Sequence, residues 1–166
     1  MLPEKKLEVL TIVVSGNLRL LISVVYRHPK ASSTNMDTLS ELLSTMTTTG
    51  HRLFLLGDLH CDVLTATQGV ETTRLLSTLN QLHLSQLIQH PTRTTSISSI
   101  GIDLVITNAS RNVSSCGVIN YGASDHDIIF VIIKTRLPQQ PRQTIKIRSM
   151  KKMSSEDFII DLSIQD

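Results

Sequence analysis

The 166 residues include no tryptophan, three phenylalanines and two tyrosines, so base-stacking recognition of nucleic acid has few platforms. Two cysteines, Cys61 and Cys116, are too few and too widely spaced for a disulfide framework or a CxxC zinc site. A dominant charge sign is missing as well. Sixteen Lys and Arg against fourteen Asp and Glu leave a net charge of +2, too mild a balance to establish a nucleic-acid partner. The longest apolar runs, 9–14 and 128–133, fall far short of the roughly 20 residues that a bilayer span requires. Glu4, Lys5 and Lys6 precede a β-like run without the apolar stretch and cleavage site of a signal peptide. The expected location is intracellular, nuclear or cytoplasmic. With 40% apolar and 18% charged residues and no internal repeat, what remains is one domain of ordinary size.

Hydrophobic patterning organises that domain. The runs LEVLTIVVS and LRLLISVVY, joined by Gly16 and Asn17, predict a β-hairpin. Their unbroken apolar character predicts strands covered on both faces. Met36, Leu39, Leu42, Leu43 and Met46 recur at helical spacing up to a stop at Gly50, and Leu75, Leu76, Leu79 and Leu82 do so within 70–84. Short strands are expected at 53–56, 102–107, 117–120 and 127–133. The class is mixed α/β (α+β) with an antiparallel-rich sheet. Two units are expected: a domain over 1–137 and, over 138–166, a basic linker followed by a short helix at 156–162. The linker carries Arg142, Lys146, Arg148, Lys151 and Lys152 with no acid before Glu156. Such a run is a nucleic-acid contact or simply a solvated tail.

Three short motifs carry polar chemistry: GDLHCD at 57–62, GID at 101–103 and SDHD at 124–127. Asp58 follows one strand, whereas Asp103 and His126 open two others. If the first strand runs antiparallel to the other two, these residues meet on one rim of the sheet, joined by Tyr26 at the end of its own strand. Carboxylates and a histidine gathered in this way suit phosphoryl chemistry on a hard cation. Taken singly, Asp58 reads as a turn or cap aspartate and His126 as a surface imidazole. Adjacent Ser124, Asp125 and His126 cannot form a serine triad, and His60, Cys61, Cys116 and His126 lack zinc spacing.

The segments VVYRHP, GDLHCD, PTRTTSISSIGIDLVITN and SDHDIIFV, in this order, resemble the C-terminal half of the endonuclease/exonuclease/phosphatase superfamily, and within it the endonuclease domain of non-LTR retrotransposon reverse transcriptases. The tail IRSMKKMSSEDFIIDL resembles the connector towards their polymerase. The resemblance implies half of a four-layered α/β-β/α sandwich and a Mg²⁺-dependent DNA phosphodiesterase. It assigns Tyr26 to the phosphate, Asp58 to the attacking water and the metal, Asp103 to orienting His126, His126 to the pentacoordinate phosphate, and Asp125 to the metal network. Arg93, Arg142, Lys146 and Arg148 would contact nucleic acid.

Two departures qualify what it implies. Where the family has Phe-Asn after Gly-Asp, this chain has Leu59 and His60; His60 is the catalytic candidate in the amide's place, although an imidazole reaches differently from an amide. The family's N-terminal half, with its metal-binding Glu, has no counterpart, and neither Glu4 nor Glu8 lies in a matching context. The expectation is an incomplete endonuclease, weakly active or inactive alone, which a missing N-terminal half or a reverse transcriptase domain would complete. The alternatives are a non-catalytic remnant that binds nucleic acid weakly, and a calcineurin-like metallophosphatase suggested by GDLH.

Overall fold

The computed structural model describes residues 7–16, 18–134 and 154–163. Its centre is a five-stranded sheet in the order β1 (Leu7–Val14), β2 (Leu20–Arg27), β3 (Arg52–Asp58), β7 (Asp103–Thr107) and β4 (Ser85–Gln86). The β2–β3 pair is parallel and the others are antiparallel, giving the mixed sheet expected. Between the parallel strands runs α1 (Ser33–Thr48), which buries Met36, Leu39, Leu43 and Met46, while α2 (Val70–Gln81) buries Thr72, Leu75 and Leu79. Those side chains form one core with Leu21, Val25, Leu53, Leu55, Leu104 and Ile106 of the sheet. Gly50, at φ +70°, takes the left-handed position that lets the chain turn out of α1 into β3.

Several elements differ from the sequence expectation for local reasons. Helix α2 stops at Gln81, three residues short, because His83 occupies the left-handed region at φ 54°. The amide of His83 then donates to Asn80 O and that of Leu84 to Leu79 O, the paired bonds of a Schellman turn, and Leu84 drops back into the core. The hairpin turn is longer than two residues: pairing closes at Val14 and Leu20, so residues 15–19 make the connection. Asn17 lies outside the described residues.

Strand β1 is not covered on both faces. It is the sheet's edge, and Leu10 and Val13 are 68% and 57% exposed. Both helices pack over the inner strands, and among the described residues no element covers β1. On the sheet's other face a hairpin of β8 (Val113–Ile119) and β9 (Ile128–Ile133) lays Val113, Val131 and Ile133 against Leu20 and Phe54. This hairpin is a sheet of its own, as is the small pair β5 (Arg93–Thr94) and β6 (Ser99–Ile100). The expected short helix is present as α3 (Ser155–Ser163). The basic stretch 138–153, with Arg142, Lys146, Arg148, Lys151 and Lys152, lies outside the described residues. No helix among those described is long and apolar enough to cross a membrane.

Candidate active site

Two adjacent antiparallel strands set the site. Asp58 ends β3 and Asp103 begins β7, and the two are direct cross-strand partners. Opposed residues of an antiparallel pair point to the same face with Cβ atoms about 5 Å apart, so the carboxylates are brought together by register alone. Gly57, the residue before Asp58, lets β2 lie close against β3. Its φ is +146°, and a Cβ there would lie 1.8 Å from Val25 O of the neighbouring strand.

His126 arrives by another route. It precedes β9, which belongs to the separate hairpin, so the site does not form on the rim of a single sheet as the motifs suggested. An isolated antiparallel bridge joins Arg93 to His126, Thr94 N donates to Asp125 O at 2.8 Å, and Asp127 N donates to Thr92 O at 2.7 Å. Segment 92–94 thus carries the histidine to β7, where His126 Nδ1 lies 3.0 Å from Asp103 Oδ2. A carboxylate only accepts, so Nδ1 bears the proton and Nε2 is left for another partner. The ligand atoms of Asp58, Asp103 and His126 all lie within 4.8 Å of one another. The two carboxylates at that spacing suit a hard divalent cation that keeps several waters, with the imidazole beside it.

Thr92, fully buried, is the hub that motif reading missed. Its hydroxyl donates to Asp103 Oδ2 at 2.7 Å and accepts from the amides of Asp103 and Ile102 at 2.9 and 3.2 Å. Arg27 was missed too. Fully buried next to Tyr26, it donates to Leu59 O at 3.3 Å and to Ala31 O at 3.4 Å, and pairs with Glu71 at the start of α2. It thereby ties the Asp58–His60 turn to two other elements. A lone threonine or arginine in a sequence carries no such signal; the only hint was the position of each inside a quoted motif.

The turn after β3 is strained at a telling place. His60 has φ 49°, a region that suits Asn better than His. Its amide donates to Asp58 Oδ1 at 2.9 Å, and its Nδ1 sits 2.8 Å from the same oxygen without the alignment of a hydrogen bond. The ring stands edge-on to Tyr26, with centroids 6.3 Å apart. Burial pushes the Asp58 carboxyl above its ordinary value and Asp103 adds to the rise, against the lowering effects of the His60 amide and of His60 and His126. Asp62 goes the other way. Burial would lift it, but hydrogen bonds from Thr65, Gly101 and Leu64 together outweigh that and hold it down. It fastens the loop after β3 to the start of β7.

Asp125 does not join the cluster. It sits in a bend just before His126, and its side chain turns to Arg93. Its carboxylate is exposed and accepts from Arg93 Nε at 2.8 Å, a bond that holds it below the ordinary carboxylate range. Asp125 thus lies outside the Asp58–Asp103–His126 cluster, and it engages Arg93 instead. Arg142, Lys146 and Arg148 lie outside the described residues. Neither cysteine is in the cluster: Cys61 is buried, its thiol raised to about 11 by that burial, and Cys116 Sγ donates to Leu87 O.

The mixed α/β fold, with parallel and antiparallel strands in one sheet, matches that of the endonuclease/exonuclease/phosphatase superfamily. Residues 20–130 match the endonuclease-reverse transcriptase family model, and the chain belongs to that family. Among solved structures it is similar to the endonuclease domain of TRAS1, a telomere-specific non-LTR retrotransposon, with 16% identity and a TM-score of 0.64 over 76% of this chain and 63% of that one. It is similar too to the 3′-5′ exonuclease NExo from Neisseria meningitidis, with 16% identity and a TM-score of 0.57 over 75% of this chain and 65% of that one. A family protein from Leptotrichia buccalis is 15% identical, with a TM-score of 0.53 over 76% of this chain and 54% of that one. The chain thus spans less than two thirds of the length of each. No curated protein sequence matches it.

Proposed function

We propose that the chain is part of a Mg²⁺-dependent DNA endonuclease that hydrolyses phosphodiester bonds, and that alone it turns over weakly or not at all. The observation that carries this reading is the Asp103–His126 hydrogen bond set opposite Asp58. Asp58 and Asp103 would hold Mg²⁺, which when bound supplies positive charge against the anionic phosphodiester. Asp58, half desolvated, also orients the attacking water. Asp103 fixes the His126 tautomer so that Nε2 meets the charge that develops on phosphate. Tyr26, exposed beside His60, contacts the phosphate. Asp125 serves by restraining Arg93 next to His126 rather than by binding metal. Turnover is weak because this donor set gives the cation few protein oxygens.

Two measurements separate binding from chemistry. In a Mn²⁺ titration followed by NMR, the ring signals of Tyr26 and His126 should broaden first, and Asp58→Asn should abolish that selectivity. Slow Mg²⁺-dependent nicking of supercoiled plasmid should fall at least ~100-fold in His126→Ala, as for loss of a positioned acid or base. Uniform broadening across the chain would sink the site, and fast nicking would sink the claim of weak turnover.

A further inference from the structure

The arginines of the described residues fall into two groups. Arg27, Arg74 and Arg93 pair with Glu71, Asp37 and Asp125. Arg19, Arg52 and Arg111 have no carboxylate partner among the described residues, and the last two line one cavity of about 390 Å³ with His51, Asn108, Ser110 and Asn112. That volume is in the range of small-molecule sites. No acid lines it. Arg52 Nη1 is buried there without a hydrogen-bond partner. A desolvated guanidinium donor left unpaired is costly, more so than a neutral group.

The walls are built from committed hydrogen bonds. Asn108 accepts from Leu53 N at 2.8 Å and donates to His51 O at 3.1 Å, so its amide braces the cavity. Thr107 donates to Leu53 O at 2.6 Å and accepts from Ala109 N at 2.9 Å. What remains uncommitted is the two guanidinium groups with the neutral side chains of Ser110 and Asn112. The cavity sits where β3 begins and β7 ends, the opposite end of both strands from Asp58 and Asp103. At about 3.3 Å per strand residue the separation is about 20 Å, too far for one phosphate to touch both.

We infer that this cavity is a phosphate-binding site, distinct from the acidic cluster, in which Arg52 and Arg111 grip a phosphate group. Guanidinium forks suit phosphate because they offer parallel N–H donors to two of its oxygens. The phosphate belongs either to a nucleic-acid strand or to a free phosphate or pyrophosphate. The inference is independent of the proposed nuclease reaction, since it needs neither metal nor turnover.

The test is calorimetric titration of the full chain, in EDTA and low salt, with inorganic phosphate, pyrophosphate and a 12-nucleotide single strand. Saturable binding should weaken at least tenfold in Arg111→Ala, whose exposed side chain can be lost without disturbing the fold, and in Arg52→Gln. Arg74→Ala removes a charge elsewhere and should leave binding unchanged. Tighter binding of the oligonucleotide that falls steeply with salt assigns the phosphate to a nucleic-acid backbone. Equal or tighter binding of pyrophosphate assigns it to a free ligand. Absence of saturable binding for all three probes, or binding that Arg111→Ala leaves intact, overturns the site.

Discussion

Strands β1 and β3 are built from the same kinds of residue and meet opposite fates. LEVLTIVV is exposed at six of its eight positions, whereas Leu53, Phe54 and Leu55 of RLFLLGD are fully buried. The difference is position in the sheet. Strand β3 has a neighbour on each side, helices on one face and the β8–β9 hairpin on the other; β1 has one neighbour and no cover among the described residues. Only the enclosed strand can hold a desolvated carboxylate in fixed register, which is why Asp58 stands at the end of β3 and not of β1.

The contrast can be broken most forcefully at Gly57. Gly57→Ala puts a methyl into Val25 O and asks alanine to adopt φ +146°, so the chain should lose roughly 3 kcal/mol or more in urea denaturation. A retained midpoint would mean that β2 and β3 are not so close.

A smaller change of opposite sign is expected at Asp58. Its carboxyl is raised in the fold, so the folded state holds its proton more tightly than the unfolded one, and this group costs stability once pH rises through the folded value. Asp58→Asn should therefore melt higher than the parent at pH 7, with the gap closing as pH falls towards the ordinary carboxylate value near 3.8. A parent that melts higher at every pH would show that the ionised Asp58 is stabilised by its histidine neighbours instead. The least effect belongs to β1: Leu10→Lys should shift stability by no more than about 0.5 kcal/mol while lowering concentration-dependent light scattering. A large loss there would mean that β1 is packed after all.

The sequence made some of this legible. Apolar runs ending in Gly-Asp and beginning at Asp103 located β3 and β7, and SDHD located the histidine, because local patterning is strong in strands and turns. Periodicity found α1 fully. It overran α2 because His83 takes the left-handed conformation that a glycine would have advertised. Coverage of β1 was misjudged since composition reports which residues prefer burial and not whether another layer exists. The separate β8–β9 sheet, the inward Arg27 and the bridging Thr92 depend on pairings between distant segments, to which no local pattern points. The same holds for Asp125, adjacent to His126 in sequence yet turned towards Arg93.

Thr92 holds Asp103 through its hydroxyl and Asp127 through its carbonyl, so one buried residue fastens both loops that deliver the histidine and its carboxylate. The two loops act as a single latch. Loosening one releases the other, so the Asp103–His126 pair is kept or lost as a unit.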